Sequence, residues 1–248
     1  LAVRLRRTDF DIKIERDIQK LNVPLFFETI IKKMPKFPKD IITGTGLVSV
    51  IRAKDSSQLV DVALALHKGG CKAIELTMTT PNALSVLEKT ISKLPSDEVT
   101  LGVGTVLDPE TARAAILSGA DFIVSPTLNV KVIELCRRYS KVVVPGAFSP
   151  TEILTAWEAG ADFVKLFPAT AVGPGYIQDI HGPLPQIKII PTGGVDVDNA
   201  ADFIKAGAEA VAAGSSLVKK SFLASGDMDG IAALAAQFIR NIQTARQK

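Results

Sequence analysis

The chain has 248 residues, 47% hydrophobic and 22% charged, with 29 Lys and Arg against 26 Asp and Glu. That length and apolar share support a sizeable core and exclude a disordered chain, and no run approaches the roughly 18 apolar residues of a membrane span. Two cysteines (Cys71, Cys136) and two histidines (His67, His181) are too few for a disulfide scaffold or a clustered zinc site, so no metal is expected.

Residues 1–40 carry four surplus positive charges, and the rest of the chain one surplus negative charge. The basic character therefore sits in the N-terminal arm. A neutral body argues against a nucleic-acid partner, because nucleic-acid binders spread a basic face over the fold. Residues 1–25 read as a basic extension. A solvated or helical arm is preferred to a targeting remnant, since Asp9, Asp11, Glu15 and Asp17 come early for a transit peptide. The expected protein is soluble and cytoplasmic, or organellar if a transit peptide precedes Leu1. Residues 18–34 pattern as a helix, followed by a linker at Pro35 and Pro38.

From residue 47 onward, short apolar runs alternate with amphipathic stretches. The runs are 47–52, 72–77, 99–104, 121–125, 141–145, 162–166, 187–191 and 209–214. Each is short, largely β-branched and apolar on both faces, as a buried parallel strand should be. The gaps, such as 56–70 and 108–120, carry helical periodicity. Gly70, Gly119, Gly160 and Gly207 mark the helix-to-strand turns, where a left-handed backbone favours glycine. Eight such units imply an α/β fold, a (β/α)8 TIM barrel, as one domain over residues 26–248. The competing open doubly wound sheet lacks its G-x-G-x-x-G here, and the even spacing suits closure.

In such a barrel, chemistry sits at the C-terminal ends of the strands. Lys72, Asp121, Lys141, Asp162 and Lys188 lie at strand starts and are expected to be solvated. Arg52, Glu75 and Lys165 lie inside or at the opposite end, where charge is costly unless paired or used. Lys165 stands between Val164 and Leu166, with Phe163 and Phe167 beyond. A desolvated lysine favours the neutral amine that attacks a ketone and forms a Schiff base. Position alone leaves open whether Lys165 is that nucleophile or a structural partner of Glu75. Glu75 is correspondingly a candidate general acid/base or a counter-ion. The runs Pro191–Val195 and Ala213–Ser216, with Gly193, Gly194, Gly214 and Ser215, follow strands 7 and 8. These are the usual phosphate grip of this architecture, built from backbone N–H groups and a short helix N-terminus.

Several ordered stretches resemble one family, the class I 2-keto-3-deoxy-6-phosphogluconate (KDPG) and 4-hydroxy-2-oxoglutarate (KHG) aldolases. They are Val50–Ala53, Ile74–Thr77, Gly102–Val106, Phe122–Pro126, Val144–Glu152, Val164–Ala169 and Pro191–Val195. The resemblance implies that Lys165 is the Schiff-base lysine and Glu75 the acid/base. It places Arg52 and Thr105 near the substrate, Pro126 and Phe167 around pyruvate, and Thr192 beside the aldehyde-derived half. Gly193, Gly194 and Ser215 would hold a phosphate. It further implies a small 2-oxo acid substrate, a covalent lysine imine in place of any cofactor, a homotrimer, and a role in the Entner–Doudoroff pathway. One position departs from the pattern. Thr79 stands where many bacterial members carry an Arg that grips the substrate carboxylate, and a hydroxyl cannot make that bidentate contact. Carboxylate binding then either falls to Arg52, Thr105 and backbone N–H groups, with Thr79 at the substrate site, or is weaker. Two rival functions remain: a phosphosugar isomerase or epimerase on the same barrel, and a catalytically silent scaffold.

Overall fold

Pro38 is tolerated in the first turn of a helix because the N–H it lacks has no partner there anyway. Instead of belonging to a linker, it opens the first described helix. The computed structural model describes residues 37–52 and 56–247. The extension at 1–25, the helix at 18–34, Pro35 and the first residues of the expected barrel domain lie outside them.

The elements in chain order are α1 (Pro38–Thr45), β1 (Leu47–Ile51), α2 (Leu59–Lys68), β2 (Ala73–Thr77), α3 (Ala83–Ile91), β3 (Thr100–Gly104) and α4 (Pro109–Leu117). Next come β4 (Phe122–Val124), α5 (Val130–Arg138), β5 (Val142–Val144), β6 (Gly146–Ala147), α6 (Pro150–Glu158) and β7 (Val164–Leu166). A short 3-10 turn (Ala169–Ala171), α7 (Gly175–His181), β8 (Ile189–Pro191), α8 (Ala200–Lys205), β9 (Val211–Ala213), α9 (Lys220–Ser225) and α10 (Met228–Arg246) complete them.

All strand pairs are parallel, in the orders β5-β4-β3-β2-β1-β9 and β6-β7-β8. The expected single strand at 141–145 is two pieces. Pro145 has no N–H for a ladder, so β5 pairs with β4 before it and β6 pairs with β7 after it. Thr192 bridges Ala212 between the two sheets, and the Phe163 N–H donates to Val143 O. The result is an α/β fold on a curled parallel sheet.

Side chains alternate faces along each strand. Val48, Ala73, Phe122, Val144, Phe163, Ile190 and Ala212, drawn from both sheets and the residue before β7, form an inner cluster that Ile42 of α1 joins. Leu47, Ile74, Val103, Ile123, Val164 and Val211 face the other way and pack in the core that includes the helices. The four turn glycines take φ values of 87°, 99°, 97° and 104°, as their left-handed role requires.

The charges at strand starts are not simply solvated. Asp121 accepts the Leu101 N–H at 3.1 Å, and Asp162 accepts the Val143 N–H at 3.2 Å. Asp162 also meets Lys39, while Lys188 meets Glu209 at 2.9 Å. An acidic residue at the start of one strand thus ties down the backbone of its neighbour, a role that local sequence does not reveal.

Candidate active site

Period-two alternation carries inner-face residues up to the C-terminal ends of the strands. Phe163 is in the inner cluster, so Lys165 shares its side; Ala73 leads in the same way to Glu75, and Ile190 to Thr192. Glu75 is 2% exposed and Lys165 7%. Burial pushes the Glu75 carboxyl above the ordinary carboxylate range, and the nearby charges of Lys165 and Arg52 pull it part of the way back. Lys165 Nζ lies 5.0 Å from the centroid of the Phe167 ring. Among the described residues neither Glu75 nor Lys165 enters a salt bridge. The pair feels each other's charge without closing into a contact ion pair. Arg52 is exposed just past β1, and residues 53–55 lie outside the described ones.

Two glycines of β3 shape the space around Glu75. A Cβ on Gly102 would overlap the Phe122 ring, and one on Gly104 would overlap Glu75 Oε1. Thr105 follows directly with φ 59°, a left-handed conformation that is a genuine outlier for a β-branched residue. Pro126 is half-buried, and its carbonyl fills the place of a side chain at Gly146. Thr79 is exposed, and its Oγ1 lies 2.9 Å from Thr77 Oγ1.

The loops after β8 and β9 are held together. Ser216 Oγ donates to Val195 O at 2.6 Å. Gly193 and Gly194 take φ 90° and 74°. The Cβ position of Gly193 lies 3.6 Å from the Phe167 ring, which links this loop to the Lys165 side of the site. The Thr192–Ala212 bridge engages Gly193 with β9, and among the described residues the N–H groups of Gly194, Ser215 and Ser216 donate to no protein acceptor. Ser215 is exposed and Gly214 half-buried. Leu217 and Val218 both donate back to Gly214 O, closing a single helical-type turn whose leading N–H groups are those of Ser215 and Ser216, and α9 starts at Lys220.

Two hydroxyls complete the set. Among the described residues Thr192 Oγ1 and Ser125 Oγ are buried with no protein partner, a state that buried polar groups rarely keep. Among the described residues no cluster of His, Cys, Asp and Glu is arranged to hold a metal. Cys71 and Cys136 are free and buried, with burial pushing the thiols up to about 11 and about 12. A cleft of about 670 Å³ lined by Thr43, Lys205, Glu209 and Arg246 lies at the opposite, N-terminal end of the strands.

The sequence profile of the KDPG and KHG aldolases matches residues 39–234. The chain belongs to that family. It is 32% identical over 194 residues to the 2-dehydro-3-deoxy-phosphogluconate aldolase of Haemophilus influenzae, covering 78% of this chain and 91% of that protein. It is 31% identical over 206 residues to the 2-dehydro-3-deoxy-6-phosphogalactonate aldolase of Escherichia coli, covering 83% and 98%. A KDPG aldolase structure from Legionella pneumophila, with pyruvate captured as a covalent carbinolamine intermediate, superposes with a TM-score of 0.75 at 27% identity, covering 82% and 98%.

For this aldolase-family chain, sequence reasoning named the charged groups but not the residues that make room for them. Gly104, Gly146 and Thr170, whose methyl occupies the Cβ place of Gly194, were missed. One signal was available: Gly102 and Gly104 sit two apart in a strand, so they share a face, and strand glycines mark close approach. Ser125 gave no such signal, because an orphaned hydroxyl is visible only once its neighbours are placed.

Proposed function

We propose that the chain cleaves a 4-hydroxy-2-oxo acid through an imine on Lys165 and releases pyruvate. The Lys165 amine attacks the C2 ketone and water leaves, giving an iminium that serves as the electron sink. Glu75, acting through water, takes the proton of the C4 hydroxyl. The C3–C4 bond then breaks, its electron pair forming the enamine while C4 departs as an aldehyde. Protonation at C3 and hydrolysis of the iminium free pyruvate and restore Lys165. No further cofactor is needed.

The observation that carries this reading is the burial of Glu75 and Lys165 on one inner face without a salt bridge between them. A purely structural pair would be expected to close, since an unpaired buried charge is costly. Pro126 and Phe167 would bound the pyruvate half, and Arg52, Thr105 and Thr79 its carboxylate side. Thr192 would meet the aldehyde-derived half. Gly193, Gly194, Gly214 and Ser215 would hold a phosphate, and the unengaged N–H groups of these two loops favour a phosphorylated substrate over the shorter KHG. An isomerase would use the same loops but has no task for a buried lysine.

The wider arrangement is proposed with it. The Thr192–Ala212 bridge, the Phe163–Val143 bond and the inner cluster fed by both sheets support closure into a (β/α)8 barrel. Residues 26–248 would form that domain, with 1–25 as an appendage and a homotrimer as the assembly.

Pyruvate release from the phosphorylated C6 sugar acid and from KHG, followed in the presence and absence of EDTA, tests the reading. The expected result is lyase activity indifferent to chelator and lost in Lys165→Ala. Activity that collapses with EDTA and returns with a divalent ion would overturn it.

A further inference from the structure

We infer that Gly104 is a positioning residue for Glu75: the absence of a side chain there allows the carboxylate to reach the open end of the strands. The inference rests on the acid/base reading of Glu75. In the register of β2 and β3, Glu75 stands opposite Gly102, and Thr77 opposite Gly104. The Glu75 head group nonetheless lies over Gly104, one pleat nearer the C-terminal end. The reason is beside it. The place over Gly102 is taken by the Phe122 ring, part of the inner cluster beneath the site.

The three heavy atoms nearest a Cβ on Gly104 are Glu75 Oε1, Cδ and Cγ, the last at 2.8 Å. The first obstacle to a side chain at 104 is therefore Glu75 itself. Gly104 is also not among the positive-φ glycines, so alanine suits its backbone. The two glycines divide the work, Gly102 seating the floor of the site and Gly104 seating the carboxylate. A methyl at 104 must push the carboxylate off β3 and so should impair proton transfer while sparing attack by Lys165.

The two steps can be read separately with pyruvate alone. Imine formation is reported by borohydride trapping at Lys165. Proton transfer is reported by exchange of the pyruvate methyl protons in D2O: the iminium loses a C3 proton to the base, the C–H electron pair becomes the enamine double bond, and a deuteron returns. We expect Gly104→Ala to slow exchange at least about tenfold, within the range general acid–base catalysis supplies, and to alter its pH profile while trapping persists. In a Glu75→Ala background, Gly104→Ala should change the slow residual exchange by less than about twofold, since its effect passes through the missing carboxylate. Exchange at the wild-type rate in Gly104→Ala, or an equal fold-loss in both backgrounds, would overturn the inference. If Gly104→Ala is too unstable to assay, melting decides: the Tm loss should largely vanish with Ala at 75, and an undiminished loss would overturn it. Glu75→Gln separates the two readings. If it exchanges normally, the acid/base reading falls; if it is silent while Gly104→Ala is fully active, only the positioning role falls.

Discussion

At the N-terminal ends of the strands Asp162 accepts the Val143 N–H and meets Lys39, and Glu209 meets both Lys188 and Thr43. At the C-terminal ends Glu75 and Lys165 are more deeply buried, yet among the described residues neither has an ion-pair partner, and Thr192 and Ser125 bury hydroxyls without hydrogen-bond partners. The named carboxylates at one end are thus paired, whereas these four groups at the other are not. Pairing at the first end ties neighbouring strands together. Its absence at the second suits the proposed imine chemistry, at a cost in stability that proteins commonly accept at functional sites.

Substitutions at the open end should change rate far more than stability. Glu75→Gln is expected to lower kcat by about 10²–10⁴-fold, the span of general acid–base catalysis, in a steady-state pyruvate-release assay. The same variant should melt higher than wild type at pH 7. The sign follows from the carboxyl's raised value. Below its ordinary value of 4.5 the group is protonated in folded and unfolded chains alike and costs nothing as an ion. As pH rises through the folded value, wild type must bury a charge and loses stability, whereas Gln does not. Melting curves across pH should therefore converge at acid pH and separate toward neutrality. Curves that stay together at every pH would show the carboxylate fully compensated in the fold.

Ser215→Ala sharpens the comparison within the open end. A hydrogen bond to a charged group contributes about 1.5–3 kcal/mol, so its loss should cost roughly tenfold or more in kcat/KM for the phosphorylated C6 sugar acid. The unphosphorylated KHG does not reach that loop and should be little affected. Equal losses on both substrates would make Ser215 structural.

The closed end should behave in the opposite way. Asp162→Ala removes the acceptor of a strand N–H and the partner of Lys39, and should destabilise by about 1–2 kcal/mol in denaturant melts with kcat unchanged. A change in kcat would mean that the two ends are coupled. The smallest effect is expected from the helix cap beside the site. Ser149 and Glu152 form a capping box at the start of α6, and Ser149→Ala should cost about 1 kcal/mol.

Much of this contrast was legible in the sequence, for physical reasons. Buried parallel strands need unbroken apolar runs, so a lysine in 162–166 and a glutamate in 72–77 stood out as charges where charge is costly. The αL glycines after four of the helices, Gly70, Gly119, Gly160 and Gly207, were equally plain. The closed end was misread because the partners of Asp121 and Asp162 are backbone groups on neighbouring strands, about 20 residues away in sequence. The split at Pro145 followed a rule that was available, since proline cannot donate to a ladder, but the run 141–145 was read through it. The role of Gly104 was hidden because it consists of space for another strand's side chain.

The most direct test of the account is borohydride reduction of the folded chain in saturating pyruvate, followed by peptide mapping. The account predicts a pyruvate-derived mass on the peptide containing Lys165, absent in Lys165→Ala and abolished when borohydride is omitted. An unmodified Lys165 in folded, substrate-saturated protein, or an adduct on a different lysine, would contradict it.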